Sequence, residues 1–209
     1  MRGDLWVTGD TIADGLLNSD PMALLIGMLL DQQVPLEWAF AGPAKLRERL
    51  GHLDVARLAA MPDDELVAAA CAKPAIHRYP AVMARRIHAL ATAIEADYAG
   101  EPERLWSGAS DAADLRRRLL DLPGFGEEKS MILIAVLAKR FGVRLPGWEA
   151  AAGPFADAEP RTVADAHSPE SFARVREWKR TQRNAGRSKQ DPTFRPGSGP
   201  DETPGIESR

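Results

Sequence analysis

At 209 residues, with 44% hydrophobic and 27% charged side chains, the chain has room for one domain, or two small lobes, around a real core. A formal net charge of −3 does not advertise a nucleic-acid binder, and a single cysteine, Cys71, excludes disulfide frameworks, thiolate zinc sites and cysteine-ligated iron–sulfur clusters within one chain. No window approaches a membrane span, and the start "MRGDLWVTGD" lacks the basic-then-apolar build of a signal peptide, so the chain reads as cytoplasmic.

The segments that follow have helical rather than strand periodicity. In "SDPMALLIGMLLDQQV", Ser19 or Asp20 is a natural N-cap, Pro21 suits the first helical position, and Leu24, Leu25, Met28 and Leu29 share a buried face. "PLEWAFAGPAKLRERLG" reads as a further helical stretch, broken near Gly42-Pro43 and stopped at Gly51. "DVARLAAM", "PDDELVAAACA" and "PAVMARRIHALATAIEADYAG" each begin with Asp or Pro, and the last closes at Gly100. Cys71 falls in the apolar run "LVAAACA" and reads as a buried packing residue. "DAADLRRRLLDL" precedes a glycine turn.

After Phe141 the composition shifts to a Gly- and Pro-rich ordered loop. "SPESFARVREWKRTQR" then opens with a capping box at Ser168 and Ser171 and forms a basic terminal helix. Residues 184–209 hold too little apolar material to fold and read as a disordered tail. No strand pattern is convincing, so the expectation is an all-α fold. Basic residues bunch in "HRYPAVMARRIHAL" and in the terminal helix, which leaves room for a basic face on an acidic protein.

The stretch "LPGFGEEKSMILIAVL" carries the most chemistry. A short helix ends at Leu122, Pro123, Gly124 and Gly126 form a tight turn around Phe125, and a second helix starts near Glu127. Successive N–H groups at such a turn can point outward at a phosphate, reinforced by the positive end of the second helix. Glu127 and Glu128 in its first turn are compatible with that when their side chains point sideways into water.

"LPGFGEEKS" resembles the helix-hairpin-helix motif of the DNA glycosylase superfamily that includes endonuclease III and the alkyladenine glycosylases. "ALLIGMLLDQQV" is similar to that family's early buried helix and its glutamine-containing turn. "KPAIHRYPAVMARRIHALATAIEADYAG" is similar to the helix before the hairpin. The likeness covers roughly residues 19–150 in order and spacing. It implies a two-lobed helical fold over residues 1–183, with a six-helix barrel lobe at about 21–139, the hairpin at 115–137, and a second lobe made by the N-terminal segment and 140–183.

The resemblance also implies chemistry. A glycosylase flips a base out of the duplex and stabilises an oxocarbenium-like sugar, in this family with a carboxylate. Eight residues beyond Phe141, in the Phe141-Gly142 pair, stands Glu149, a glutamate where the family has aspartate; the alternative is that it caps the helix starting at Ala150 above Trp148. Asp31 and Asp157 are further carboxylate candidates, Asp31 because it ends the buried helix beside the groove.

Bifunctional members place a Schiff-base lysine two residues past the second hairpin glycine. Glu128 stands there, with Lys129 about a third of a turn around, so the expectation is a monofunctional enzyme using water, with Lys129 on phosphate. The expected cofactor is none, apart from a monovalent cation that the hairpin could hold, and no iron–sulfur cluster.

Gln32 and Gln33 match the family's glutamine position, where a side chain enters the base stack; one amide capping the preceding helix is the alternative. His77 and Arg78 read as backbone binders or as plain surface, and Trp38, Phe40, Tyr79 and Trp148 as a stacking pocket or as core. The basic residues of the terminal helix add phosphate attraction if a DNA groove lies beside them. The implied function is base excision on double-stranded DNA by a monomer, with no metal site. A non-catalytic lesion sensor of the same fold and a helical interaction domain unrelated to nucleic acid are the other readings.

Overall fold

A computed structural model of the chain describes residues 2–186; the segment read as a tail lies, from residue 187 on, outside the described residues. Eleven α-helices and two short 3-10 turns appear among the described residues, with no strand.

Helix α1 (Thr11–Ser19), which the sequence reading did not anticipate, is started by Asp10, whose carboxylate accepts from the Ile12 and Ala13 amides. Asp20 repeats the device for α2 (Pro21–Leu30), with Pro21 at the first position, as expected. Every residue of α2 from Met22 to Leu30 is buried, so this helix is the axis on which α1, α3 and α6 pack.

Helix α3 (Leu36–Leu50) runs unbroken through Gly42-Pro43, contrary to the expected interruption, and ends at Gly51. Pro43 removes one N–H, but both residues are buried where α2 and α3 meet, and a Cβ on Gly42 would overlap Leu30 Cδ1. Close packing here outweighs the low helix propensity of the pair.

Helices α4 (Val55–Ala60) and α5 (Asp63–Cys71) pack against α6 (Pro80–Tyr98). Cys71, expected to be buried, is half-exposed at the last position of α5. A single turn, α7 (Arg104–Ser107), also unforeseen, precedes the hairpin of α8 (Ala112–Leu120) and α9 (Glu127–Arg140). In α9 the residues Ile132 to Ala138 are all buried, which matches the apolar run in its sequence.

The chain then returns along α9. Short helix α10 (Trp148–Ala152) packs on α8 and α9, and a 3-10 turn, Val163–Asp165, packs on α9 and is covered by α11 (Pro169–Asn184). The Ser168/Ser171 capping box that starts α11 is present. Residues before α1 join this part of the molecule: the Trp6 amide donates to Ala166 O at 3.2 Å, and the Trp6 ring meets Phe172 edge-on at 5.8 Å. Lys139 of α9 ties the return segment down through the Asp165 carboxylate at 2.8 Å and the Asp157 carbonyl at 2.6 Å. Among the described residues no single helix is long and apolar enough to cross a membrane.

Candidate nucleic-acid interface

The hairpin turn is built by local rules. Leu122 and Phe125 are buried and anchor its ends, and the Phe125 amide donates to Leu122 O at 3.1 Å. Between them Gly124 sits at φ +83°, a conformation that favours glycine, and a Cβ there would overlap Leu29 Cδ1 of α2. Gly126 is extended, is the N-cap of α9, and faces open space.

Both glycines are exposed, and among the described residues neither their amides nor that of Glu127 donates to a protein acceptor. Unengaged amides at the positive end of a helix can receive an anion. Arg116 of α8 pairs with Glu127 across the hairpin, so that carboxylate is held to the side of the turn. Asp114 pins the start of α8 by accepting from the Ser110 amide, Arg117 and Arg118; the Arg118 hydrogen bond, seconded by Ser110, holds its carboxyl below the usual range.

The turn opens on a cleft of about 420 Å³ lined by Asp31 and Gln32 from the end of α2 and by Gly124, Gly126, Glu128 and Lys129 from the hairpin. The sequence candidates from two regions almost a hundred residues apart therefore share one wall-to-wall site. Lys129, expected on phosphate, is turned to the protein instead: its ammonium donates to Leu29 O at 2.9 Å and lies 5.8 Å over the Phe125 ring. The last turn of α2 leaves carbonyls without helical partners, and the cation answers the negative end of that helix.

Gln32 and Gln33 part company. The Gln32 side chain is held at both ends, donating from Nε2 to Leu29 O at 2.7 Å and accepting from Arg86 Nη1 at 2.8 Å. Gln33 is exposed at φ +56°, a left-handed backbone that side chains larger than hydrogen rarely adopt.

His77, expected to bind backbone phosphate, is 1% exposed with both ring nitrogens engaged. Nδ1 accepts from the Tyr79 amide at 3.0 Å, so Nε2 carries the proton and donates to Gln32 O at 2.8 Å. It is a clamp beneath the glutamine turn. Arg78 is exposed and stacks on Tyr79 at 5.3 Å.

The expected stacking pocket does not assemble. Phe40 is fully buried core; Trp38 is fixed on the outside by a 3.0 Å hydrogen bond from Nε1 to Ala75 O; Tyr79 lies exposed beside Arg78; and Trp148 is packed on the far return segment. None of them lines the hairpin cleft. Glu149 stands exposed in the first turn of α10, likewise outside that cleft, whereas Asp31 lies in it. Asp157 accepts from Arg161 at 2.8 Å on the return segment.

Arg86 is the participant the sequence did not single out. It belongs to a flagged basic bunch, but its partner lies 54 residues away, beyond any spacing rule. Among the described residues no three of His, Cys, Asp or Glu converge as a metal site.

No curated protein and no solved structure matches the chain, but a family model described as HhH-GPD superfamily base excision DNA repair protein matches residues 26–190, which include α9, the Gly124–Gly126 turn and the glutamine turn. The chain belongs to the HhH-GPD superfamily of base-excision DNA repair proteins.

Proposed function

We propose that the protein is a monofunctional DNA glycosylase, which hydrolyses the N-glycosidic bond of a damaged or mispaired base in duplex DNA with water as nucleophile. The observation that carries this reading is the exposed turn at Gly124 and Gly126, with unengaged amides, opening on the cleft that holds Asp31 and Gln32. A phosphate held on those amides would put the adjoining nucleotide over the cleft.

Two features support the absence of a Schiff-base step. The position two residues past Gly126 is Glu128, and the neighbouring Lys129 ammonium is spent on Leu29 O. Borohydride is expected to trap no covalent complex.

Of the carboxylates weighed from sequence, Asp31 shares the cleft with the hairpin amides and Glu149 does not. We assign to Asp31 the stabilisation of the developing sugar cation. Gln33, exposed and on a strained backbone, takes the role of wedge in the stack, because the Gln32 side chain would have to break two hydrogen bonds to do so. Leu122 O and Gly126 O each accept one backbone hydrogen bond, leaving a lone pair on each for a monovalent cation.

The test is a panel of duplexes bearing uracil, hypoxanthine or alkylated purines, with abasic sites revealed by hot alkali. Wild type is expected to generate them, Asp31→Asn to be slower by roughly 100-fold or more, and Glu149→Gln to match wild type. If Glu149→Gln is the slow variant, the carboxylate assignment reverts to the spacing argument. If wild type leaves every lesion in place yet binds the duplexes, the reading becomes a non-catalytic lesion sensor.

A further inference from the structure

The Asp31–Pro35 turn has a second side. Its first residues, Asp31 and Gln32, line the hairpin cleft, whereas Gln33 to Glu37 line a separate groove of about 520 Å³ with the face of α11. Arg176, Lys179, Arg180 and Arg183 line it; Arg176 with Arg180, and Lys179 with Arg183, are each four residues apart, which groups all four on one side of that helix. Against them the groove carries one acidic residue, Glu37, 3.4 Å from Arg176. On a chain whose formal net charge is −3 this is a concentrated excess of cations. α11 is anchored by its buried residues Phe172, Val175 and Trp178, and none of the four cations is among them.

We infer that this groove is a second nucleic-acid backbone site, which takes the phosphates of the duplex on the side of Gln33 away from the hairpin. The inference rests on the reading above. The amides at Gly126 grip one phosphate through dipoles, the nearby Lys129 and Arg116 being engaged with Leu29 O and Glu127. The α11 face supplies point charges and guanidinium forks that follow a backbone without reading its bases. Exposed Gln33 lines this groove and follows Gln32 of the hairpin cleft directly in the chain, so a duplex engaging both would be held on each side of the place where it is opened. The paired arginines do not change the sign of the face: exposed pairs such as Arg180 with Glu177 at 2.7 Å are weak and yield to a polyanion.

The experiment is fluorescence anisotropy with an undamaged labelled duplex, in a series of salt concentrations. Wild type is compared with Arg180→Gln/Arg183→Gln and with Arg47→Gln/Arg57→Gln, exposed arginines on α3 and α4 outside the groove. The slope of log affinity against log salt is expected to fall in magnitude by about two for the α11 pair and to stay at the wild-type value for the control pair. Equal slopes for all three proteins overturn the inference while leaving the DNA reading standing. A wild type with no salt-dependent affinity for duplex overturns both. Circular dichroism checks folding, and Arg183→Gln alone, at the last turn of α11, carries the test with an expected fall of about one should the double variant not fold.

Discussion

A methyl group added at Gly124 would overlap Leu29 Cδ1 on a backbone already left-handed, whereas one added at Gly126 would meet nothing within 4 Å. Gly124→Ala is therefore expected to lower stability by about 2 kcal/mol or more, read from denaturant unfolding. Gly126→Ala should unfold like wild type and lose duplex affinity, because its methyl would stand where the proposed phosphate contact is made. Gln33→Gly makes a complementary case. Its backbone suits glycine, so stability should hold or rise by a few tenths of a kcal/mol, while excision slows; an unaltered rate would remove Gln33 from the wedge role. At this scale the hairpin was legible because its rules are local to five residues. His77 was not, since what buries it is Gln32 O, 45 residues away in the chain, and no property of "AIHRYP" announces that partner. His77→Ala should cost about 1–3 kcal/mol by orphaning the Gln32 carbonyl and the Tyr79 amide, without altering the salt slope.

Helices α2 and α9 were readable from apolar runs, and their starts from Asp20 and the glycine turn, because the signals lie within one turn of the boundary. α3 misled, since the pair that looks like a breaker is there for its neighbour: Gly42 lets Leu30 in. Gly42→Ala should accordingly destabilise, despite alanine's better helix propensity, and thermal unfolding shows it as a lowered midpoint. Helix α8 carries a pH dependence. The Asp114 carboxyl is held below its ordinary range by Arg118, Ser110 and Arg117, so its folded pKa lies under its unfolded one. The stabilisation is then fully present above about pH 3.9 and is lost as pH falls through the depressed value. Asp114→Asn should flatten the acid limb of the unfolding midpoint measured downward from pH 5.

For the whole molecule, the all-helical class followed from periodicity, but which candidates would converge did not. Spacing from Phe141 singled out Glu149 as the carboxylate; it lies on α10, outside the cleft that Asp31 lines. Linear distance measures only chain that runs straight, and residues 141–166 double back along α9. The N-terminal segment closes the assembly, with Leu5 and Val7 buried and the Val7 and Thr8 amides both donating to Asp14 Oδ1. Removing residues 2–9 should strip roughly 3–6 kcal/mol of apolar burial from those two side chains alone, enough to leave little cooperative unfolding in a calorimeter.

One oxygen has a mechanical consequence. Leu29 O receives both the Lys129 ammonium and the Gln32 amide, so the loop that would seize the backbone and the loop that would probe the helix interior are riveted to a common point. Their separation is set before any DNA arrives, like the jaws of a gauge locked at one opening. Under the function proposed above, a protein so made would test each step along a duplex against a constant span, and would stop at a nucleotide that yields to it.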